Sequence, residues 1–323
     1  MLGSMSTSST STPIPASDQV RRFIVENRPV RGHFVRIESA WRALREHQQY
    51  PAPVRELLGQ AVSAAVLLAA TLKFRGTLTL QLQGHGAARL LVAQCTHDFR
   101  VRAVVRTDER AVSELPQSDE TQPAPGLTPA GFRALVGSAG KLAVTIEASE
   151  GGARYQGIVP LEGESLAQSL ETYFASSEQL PTRIRLAADD AHAAGLLIQK
   201  LPSREGPSAE SQDAWHEAEQ GLGGVQLAEL LELPLERVLA RNFGQRDLRL
   251  FAGTPVRFEC RCGPERVQSV LRALGEDQVR DVLREQGSVT VTCDFCSRPY
   301  HFDALGVEAL FAGAARPPPH SLH

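Results

Sequence analysis

The sequence predicts an α+β protein in three parts: a mixed helix-and-sheet core domain over 18–202, a metastable helical linker over 203–250 and a small four-cysteine module over 251–312. Three observations predict it. Apolar residues over 78–106 and 141–160 alternate with polar ones, the period of half-buried strands. Helical periodicity flanks this strand-rich middle on both sides, so helices and strands are segregated along the chain. Four of the five cysteines fall in the last quarter, as Cys260-Arg-Cys262 and Cys293-Asp-Phe-Cys296.

Taken in order, Asp18 reads as the cap of a short helix over 18–25, with Val20, Phe23 and Ile24 apolar. Ser39 reads as the cap of a second helix that holds Trp41 and Leu44. Pro53 opens a helix over 54–71 that is apolar round most of its circumference, the mark of an element buried on several sides. Leu78, Leu80 and Leu82 alternate with Thr79, Gln81 and Gln83 in a strand, and Gly84-His85-Gly86 turns the chain into another over 89–94. Strands follow over 101–106, 141–147 and 154–160, the last two joined by a hairpin turn at Gly151-Gly152. Ser165 caps a helix to about 177, and strands over 183–186 and 195–201 close the core.

Composition shifts at Ser203. Residues 203–211 are rich in Pro, Gly, Glu and Ser, and an amphipathic stretch over 227–239 is interrupted by Pro234. Residues 203–243 hold eight acids against three bases. Gly221, Gly223 and Gly224 each cost roughly 1 kcal/mol inside a helix. The segment is helical but intrinsically weak, and on composition it reads as a solvated spacer. The Ser/Thr-rich start over 1–17 and the proline-rich tail over 313–323 are expected to be disordered.

Composition excludes some classes of function. Apolar residues make up 42% and charged residues 22%, ordinary for a globular protein. A formal net charge of −3 argues against a coat for nucleic acid or for an anionic membrane. The most apolar run, 61–70, is shorter than the roughly 20 residues a membrane span needs. No Lys or Arg precedes Arg21 and no apolar stretch follows the start, so a signal peptide is not expected. A reducing cytoplasm is the expected location, where clustered cysteines mean metal or redox chemistry rather than permanent disulfides.

The insert between the cysteine pairs, 263–292, is itself patterned. Pro264 opens a helix with Val267, Val270, Leu271 and Leu274 on one face, ended by Gly275. Asp277 caps a second, with Val279, Val282 and Leu283, ended by Gly287. Val289 and Val291 alternate into Cys293, and Tyr300 and Phe302 alternate after the second pair. So small a module buries little apolar surface. Cys260, Cys262, Cys293 and Cys296 match a tetrahedral zinc site, and four sulfurs leave no open position for catalysis. His301 reads as a strand residue. Two uses of the zinc stay open on the residues alone. One is a static clip, as in zinc ribbons that present a surface to nucleic acid; eight Arg against nine acids over 256–323 speak against it. The other is a switch, because zinc keeps thiols as thiolates, the form that oxidants attack. No catalytic residue is expected. Cys95, His97 and Asp98 are the nearest approach to a nucleophile cluster, but neighbours on a strand face opposite sides. His216-Glu217 is followed by Gln220 where a zinc protease needs its second histidine.

The spacing of the four cysteines, with Val256-Arg-Phe-Glu-Cys260, Pro264-Glu-Arg-Val267 and Tyr300-His-Phe-Asp303, resembles the redox-regulated 33 kDa heat-shock chaperonin family. The resemblance extends through Asn27-Arg-Pro-Val-Arg-Gly32, Ala70-Thr-Leu-Lys-Phe74, Leu80-Gln-Leu-Gln-Gly84, Tyr155-Gln-Gly157, Pro160-Leu-Glu-Gly163 and Tyr173-Phe-Ala-Ser-Ser-Glu-Gln-Leu-Pro-Thr182. It implies a cytoplasmic, stress-responsive, ATP-independent holdase, monomeric and inactive while reduced and zinc-bound. Oxidation would form the disulfides Cys260–Cys262 and Cys293–Cys296 and release Zn2+. The linker would then unfold, bare apolar surface to unfolding client proteins, and allow dimerisation. No nucleic acid or membrane partner is implied. Three features depart from the family pattern: 242–247, His85, and the glycines at 221–224.

Overall fold

The computed structural model describes residues 17–115, 126–148, 154–161, 163–202, 208–244 and 247–312. The expectations for 1–16, the Gly151-Gly152 turn, 203–207 and the tail from 313 lie outside the described residues. The chain divides into two compact units, one of Met1–Arg45 with Gln49–Glu259, the other of Glu46–Gln48 with Cys260–His323.

In the first unit, β1 (Gln19–Val25) and β2 (Val30–Ile37) pair antiparallel where a helix over 18–25 was expected. The cause is burial on both faces. Val20 meets one core cluster while Phe23 and Val25 meet another, so the polar–apolar alternation of a half-exposed strand is lost. Asp18 does not cap its own segment. Its carboxylate accepts the backbone N–H groups of Glu38, Ser39 and Ala40 at 3.0, 3.0 and 2.9 Å, and so caps α1 (Ser39–Arg45) in place of Ser39.

The central element is α2 (Ala52–Thr71), with Pro near its start as expected. By length and composition it could cross a membrane, longer than the apolar run read from sequence. Instead 15 of its 20 residues are buried between two sheets. After it come β3 (Gly76–Gln83), β4 (Ala88–Thr96), β5 (Arg100–Thr107), the short helices α3 (Glu109–Ser113) and α4 (Pro129–Val136), then β6 (Lys141–Ala148) and β7 (Arg154–Pro160). Ser165 caps α5 (Leu166–Tyr173) by accepting from the Gln168 N–H at 3.2 Å, and a π-helical turn, Phe174–Glu178, follows. β8 (Thr182–Ala188) and β9 (Ala193–Lys200) complete the core.

The linker forms α6 (Ala209–Gly224), α7 (Leu227–Glu232), α8 (Leu235–Phe243) and β10 (Leu248–Leu250); β11 (Thr254–Pro255) and β12 (Arg257–Phe258), expected in the cysteine module from 251, instead pair with β1 and β5 of the first unit. One sheet runs β10-β1-β2-β9-β8, with β11 also on β1; the other runs β12-β5-β4-β3-β6-β7. Val35, Ile37 and Leu197 of the first sheet face α2, together with Leu78, Leu80 and Leu91 of the second. The opposite face of the first sheet carries Phe23, Val30, Phe34, Leu196 and Ile198, and the linker helices cover it with Trp215, Leu222, Leu231, Leu235, Val238 and Phe243. Phe243 packs edge-on against Phe23, ring centroids 6.0 Å apart at 71°. The spacer reading therefore fails for the linker helices, which are docked. Each such apolar side chain taken from water contributes about 1.5–3 kcal/mol. Gly221 has a packing role: a Cβ there would lie 2.9 Å from the Asn242 carbonyl and 3.1 Å from the Phe243 ring, so glycine lets α6 approach α8. Arg36 donates to the Leu233 carbonyl at 2.8 Å, and Arg21 pairs with Glu236.

The second unit holds α9 (Pro264–Leu274), α10 (Glu276–Gln286), the antiparallel hairpin β13 (Val289–Thr292) and β14 (Pro299–Phe302), and α11 (Ala304–Ala312). Its core is small: Val267, Leu271, Val279, Val289, Val307, Leu310 and Phe311. Three of these come from α11, which the sequence reading did not anticipate. Val270 and Leu274 stay exposed, at 58% and 51%, because a core this narrow takes only part of the helix face. Gly275, at φ 102°, stands at the N-cap of α10 where Asp277 was expected, and Asp277 lies in the first turn.

Candidate metal centre

Cys260 and Cys262 lie between β12 and α9, and Gly263 at the N-cap of α9 turns the chain away from them. Cys293 follows β13 directly. The Cys293 N–H donates to the Arg298 carbonyl at 3.0 Å and the Ser297 N–H to the Cys293 carbonyl at 2.9 Å. This tight knuckle closes the β13–β14 hairpin and places Cys296 on its inner side; Ser297 takes the left-handed conformation, φ 56°, that the turn demands. All four sulfurs lie within 4.8 Å of one another. The Cys260 and Cys293 sulfurs are 3.7 Å apart and those of Cys262 and Cys296 3.4 Å. A tetrahedral ion with Zn–S bonds of about 2.3 Å needs sulfurs about 3.8 Å apart, so the cluster fits a zinc-sized metal, and an all-thiolate set suits a soft one.

Cys296 is buried and the other three are half-buried. Burial opposes the Cys262 thiolate, but the Tyr300 hydroxyl and the three neighbouring sulfurs outweigh it and bring Cys262 down to about 7. Burial pushes the Cys260 and Cys296 thiols up. The hydrogen bond to Cys262 raises Tyr300 to about 12. Tyr300 had been read only as an alternating strand residue; its hydroxyl beside Cys262 is a support for the cluster that spacing gave no sign of.

The remaining sequence candidates separate from the cluster. His301 sits on β14 with Nδ1 3.0 Å from the Thr290 hydroxyl across the hairpin, a strand residue as expected. Cys95 on β4 is fully buried in the core, and burial drives its thiol far up, the opposite of an activated nucleophile. Asp98 faces solvent and is paired with Arg100, and His216 contacts Gln220 on the surface of α6.

The sequence pattern of the Hsp33 protein family matches residues 18–303. The chain belongs to the Hsp33 family. Its relatives include the 33 kDa chaperonin of Methylobacillus flagellatus, 40% identical over 296 residues that cover 91% of this chain and 94% of that protein. The 33 kDa chaperonin of Nitrosococcus oceani is also 40% identical, over 301 residues covering 93% and 96%. The crystal structure of a 33 kDa chaperonin from Thermotoga maritima superposes with a TM-score of 0.71 at 23% identity, covering 91% of this chain and 98% of that one, and shows the same fold. As an Hsp33-family protein the chain is a chaperone, and its C-terminal cysteines could hold a metal ion.

Proposed function

We propose that the chain is a redox-regulated, ATP-independent holdase that binds unfolding client proteins in the cytoplasm. The observation that carries this reading is the gathering of four sulfurs within 4.8 Å. Cys260, Cys262, Cys293 and Cys296 would hold Zn2+, which when bound keeps the sulfurs as thiolates and stabilises a unit whose own core is small. Peroxide would oxidise each pair of thiolates: one S–S bond forms, the two electrons released break the O–O bond, and two protons from solvent complete two molecules of water. The pairs Cys260–Cys262 and Cys293–Cys296 consume all four sulfurs and leave no thiolate donor.

The linker is the element that responds. It is acidic, it is broken at Pro234, and it joins Cys260 through β10, β11 and β12. Its release would bare Phe23, Val30, Phe34, Leu196 and Ile198 together with its own leucines, and a contiguous apolar surface of this kind captures unfolding chains. A monomer when reduced and a dimer when oxidised belong to the same reading. The test is a peroxide titration that follows zinc release, free thiols and protection of a heat-unfolded client together, without ATP. Coincident transitions are expected; equal protection by reduced and oxidised protein would sink the switch.

A further inference from the structure

A cavity of about 530 Å³ lies where β8, α4 and α5 meet the linker helices α6 and α7. This is the size that takes a small organic ligand. Part of its wall is apolar, with Leu127 and Phe132 from the core and Leu222 and Leu227 from the linker. The rest carries charge of both signs. Arg183 is already engaged, with Glu219 at 2.8 Å and more loosely with Glu171 at 3.9 Å. Arg185 donates to the Leu222 and Gly223 carbonyls at 3.5 and 3.0 Å and has no ion pair among the described residues. Glu164, exposed at the rim, likewise has none among them. Glu171 is engaged as well: its Oε1 accepts the Ile184 N–H at 2.8 Å, and burial holds it above the usual carboxylate range against the pull of that bond and of Arg183 and Arg185. The groups without an ion pair are therefore one guanidinium, Arg185, and one carboxylate, Glu164, beside an apolar wall.

We propose that this cavity binds a small zwitterion with an apolar arm, of the amino-acid or dipeptide kind. Its carboxylate meets Arg185, its ammonium meets Glu164, and its side chains lie against Phe132 and the leucines. Core and linker share the wall, so the ligand binds only while α6 and α7 are docked. By mass action it reduces linker opening by a factor of 1 + [L]/Kd. Binding stands on geometry alone; its meaning as a brake on activation rests on the switch reading.

The experiment uses the reduced, full-length chain and leucyl-phenylalanine as probe. Calorimetry measures binding, and trypsin cleavage at Arg237 and Arg241, both exposed on α8, reports linker opening. Saturable binding is expected, and at ten times Kd cleavage slows about 11-fold. The N-acetylated dipeptide and the dipeptide amide, each lacking one charge, bind at least about fivefold more weakly. Ala167→Phe, which fills the cavity, removes binding and protection together. Glu164→Gln, at an exposed position that leaves the fold intact, weakens the free dipeptide and not its N-acetyl form. Absence of saturable binding, equal binding of the blocked peptides, or binding with unslowed cleavage would overturn the proposal. A dipeptide that binds and protects a chain which peroxide fails to activate would leave the site standing and remove the switch.

Discussion

His33 lies on β2 with 3% of its surface exposed, and its Nδ1 has no partner among the described residues. Burial, reinforced by the Arg31 and Arg22 guanidiniums, pushes its imidazolium from 6.5 down to about 3. Above pH 6.5 the ring is neutral in both folded and unfolded chains and adds no pH dependence. Below 6.5 the unfolded chain takes up a proton that the folded chain refuses, so stability falls by up to about 1.4 kcal/mol per pH unit until about 3. The acid limb of the unfolding midpoint should be shallower in His33→Leu than in the wild type; parallel limbs would mean that the folded ring accepts its proton. Legibility at this scale followed sequence distance. The four cysteines could be read because their chemistry depends on short local spacings. Asp18 was misassigned because the helix it caps begins 21 residues later, and Tyr300 was passed over because its partner, Cys262, lies across a fold of the chain.

The linker shows what a strand or helix pattern can conceal. Its acidity, Pro234 and its glycines read as marks of a weak helical segment; the helices are present, but their docking is not legible in that pattern. The reason lies in β1 and β2: their second apolar face erased the alternation that would have announced a sheet in need of a cover. The docked geometry separates two substitutions by sign. A Cβ on Gly223 would meet no atom within 4 Å, so Gly223→Ala should stabilise α6 by about 0.5 kcal/mol. Phe243→Ala removes the ring that packs on Phe23 and should cost about 3 kcal/mol. Amide exchange over 209–243 measures both: about twofold slower in the first variant, on the order of 100-fold faster in the second. Client protection should then start at a higher peroxide dose in Gly223→Ala and at a lower one in Phe243→Ala. The reverse order would show that the linker is held by something other than this face of the sheet.

At the scale of the molecule the two units differ in what keeps them folded. The first wraps two sheets round a buried 20-residue helix, a core that needs no staple. Among the described residues the second gathers seven buried apolar side chains, and a core of that size supplies too little free energy to fold alone. Metal binding to small thiolate sites, on the order of 10–16 kcal/mol in apparent terms, would make good the shortfall if the cysteine cluster holds an ion. A chelator added to reduced protein should therefore abolish exchange protection over 264–312 and leave α2 and β3 to β6 protected. Protection retained over 264–312 after the metal has left would mean that the cysteine cluster is not what folds that unit. The proposed switch couples this unit to the linker. Arg257 and Phe258 pair with β5 of the second sheet, and Cys260 follows two residues on in sequence. If loss of the cysteine cluster releases the linker, protection over 209–243 should fall with the same chelator dose as protection over 264–312. If 209–243 keeps its protection, metal loss alone leaves the linker docked, and opening requires a second input such as heat.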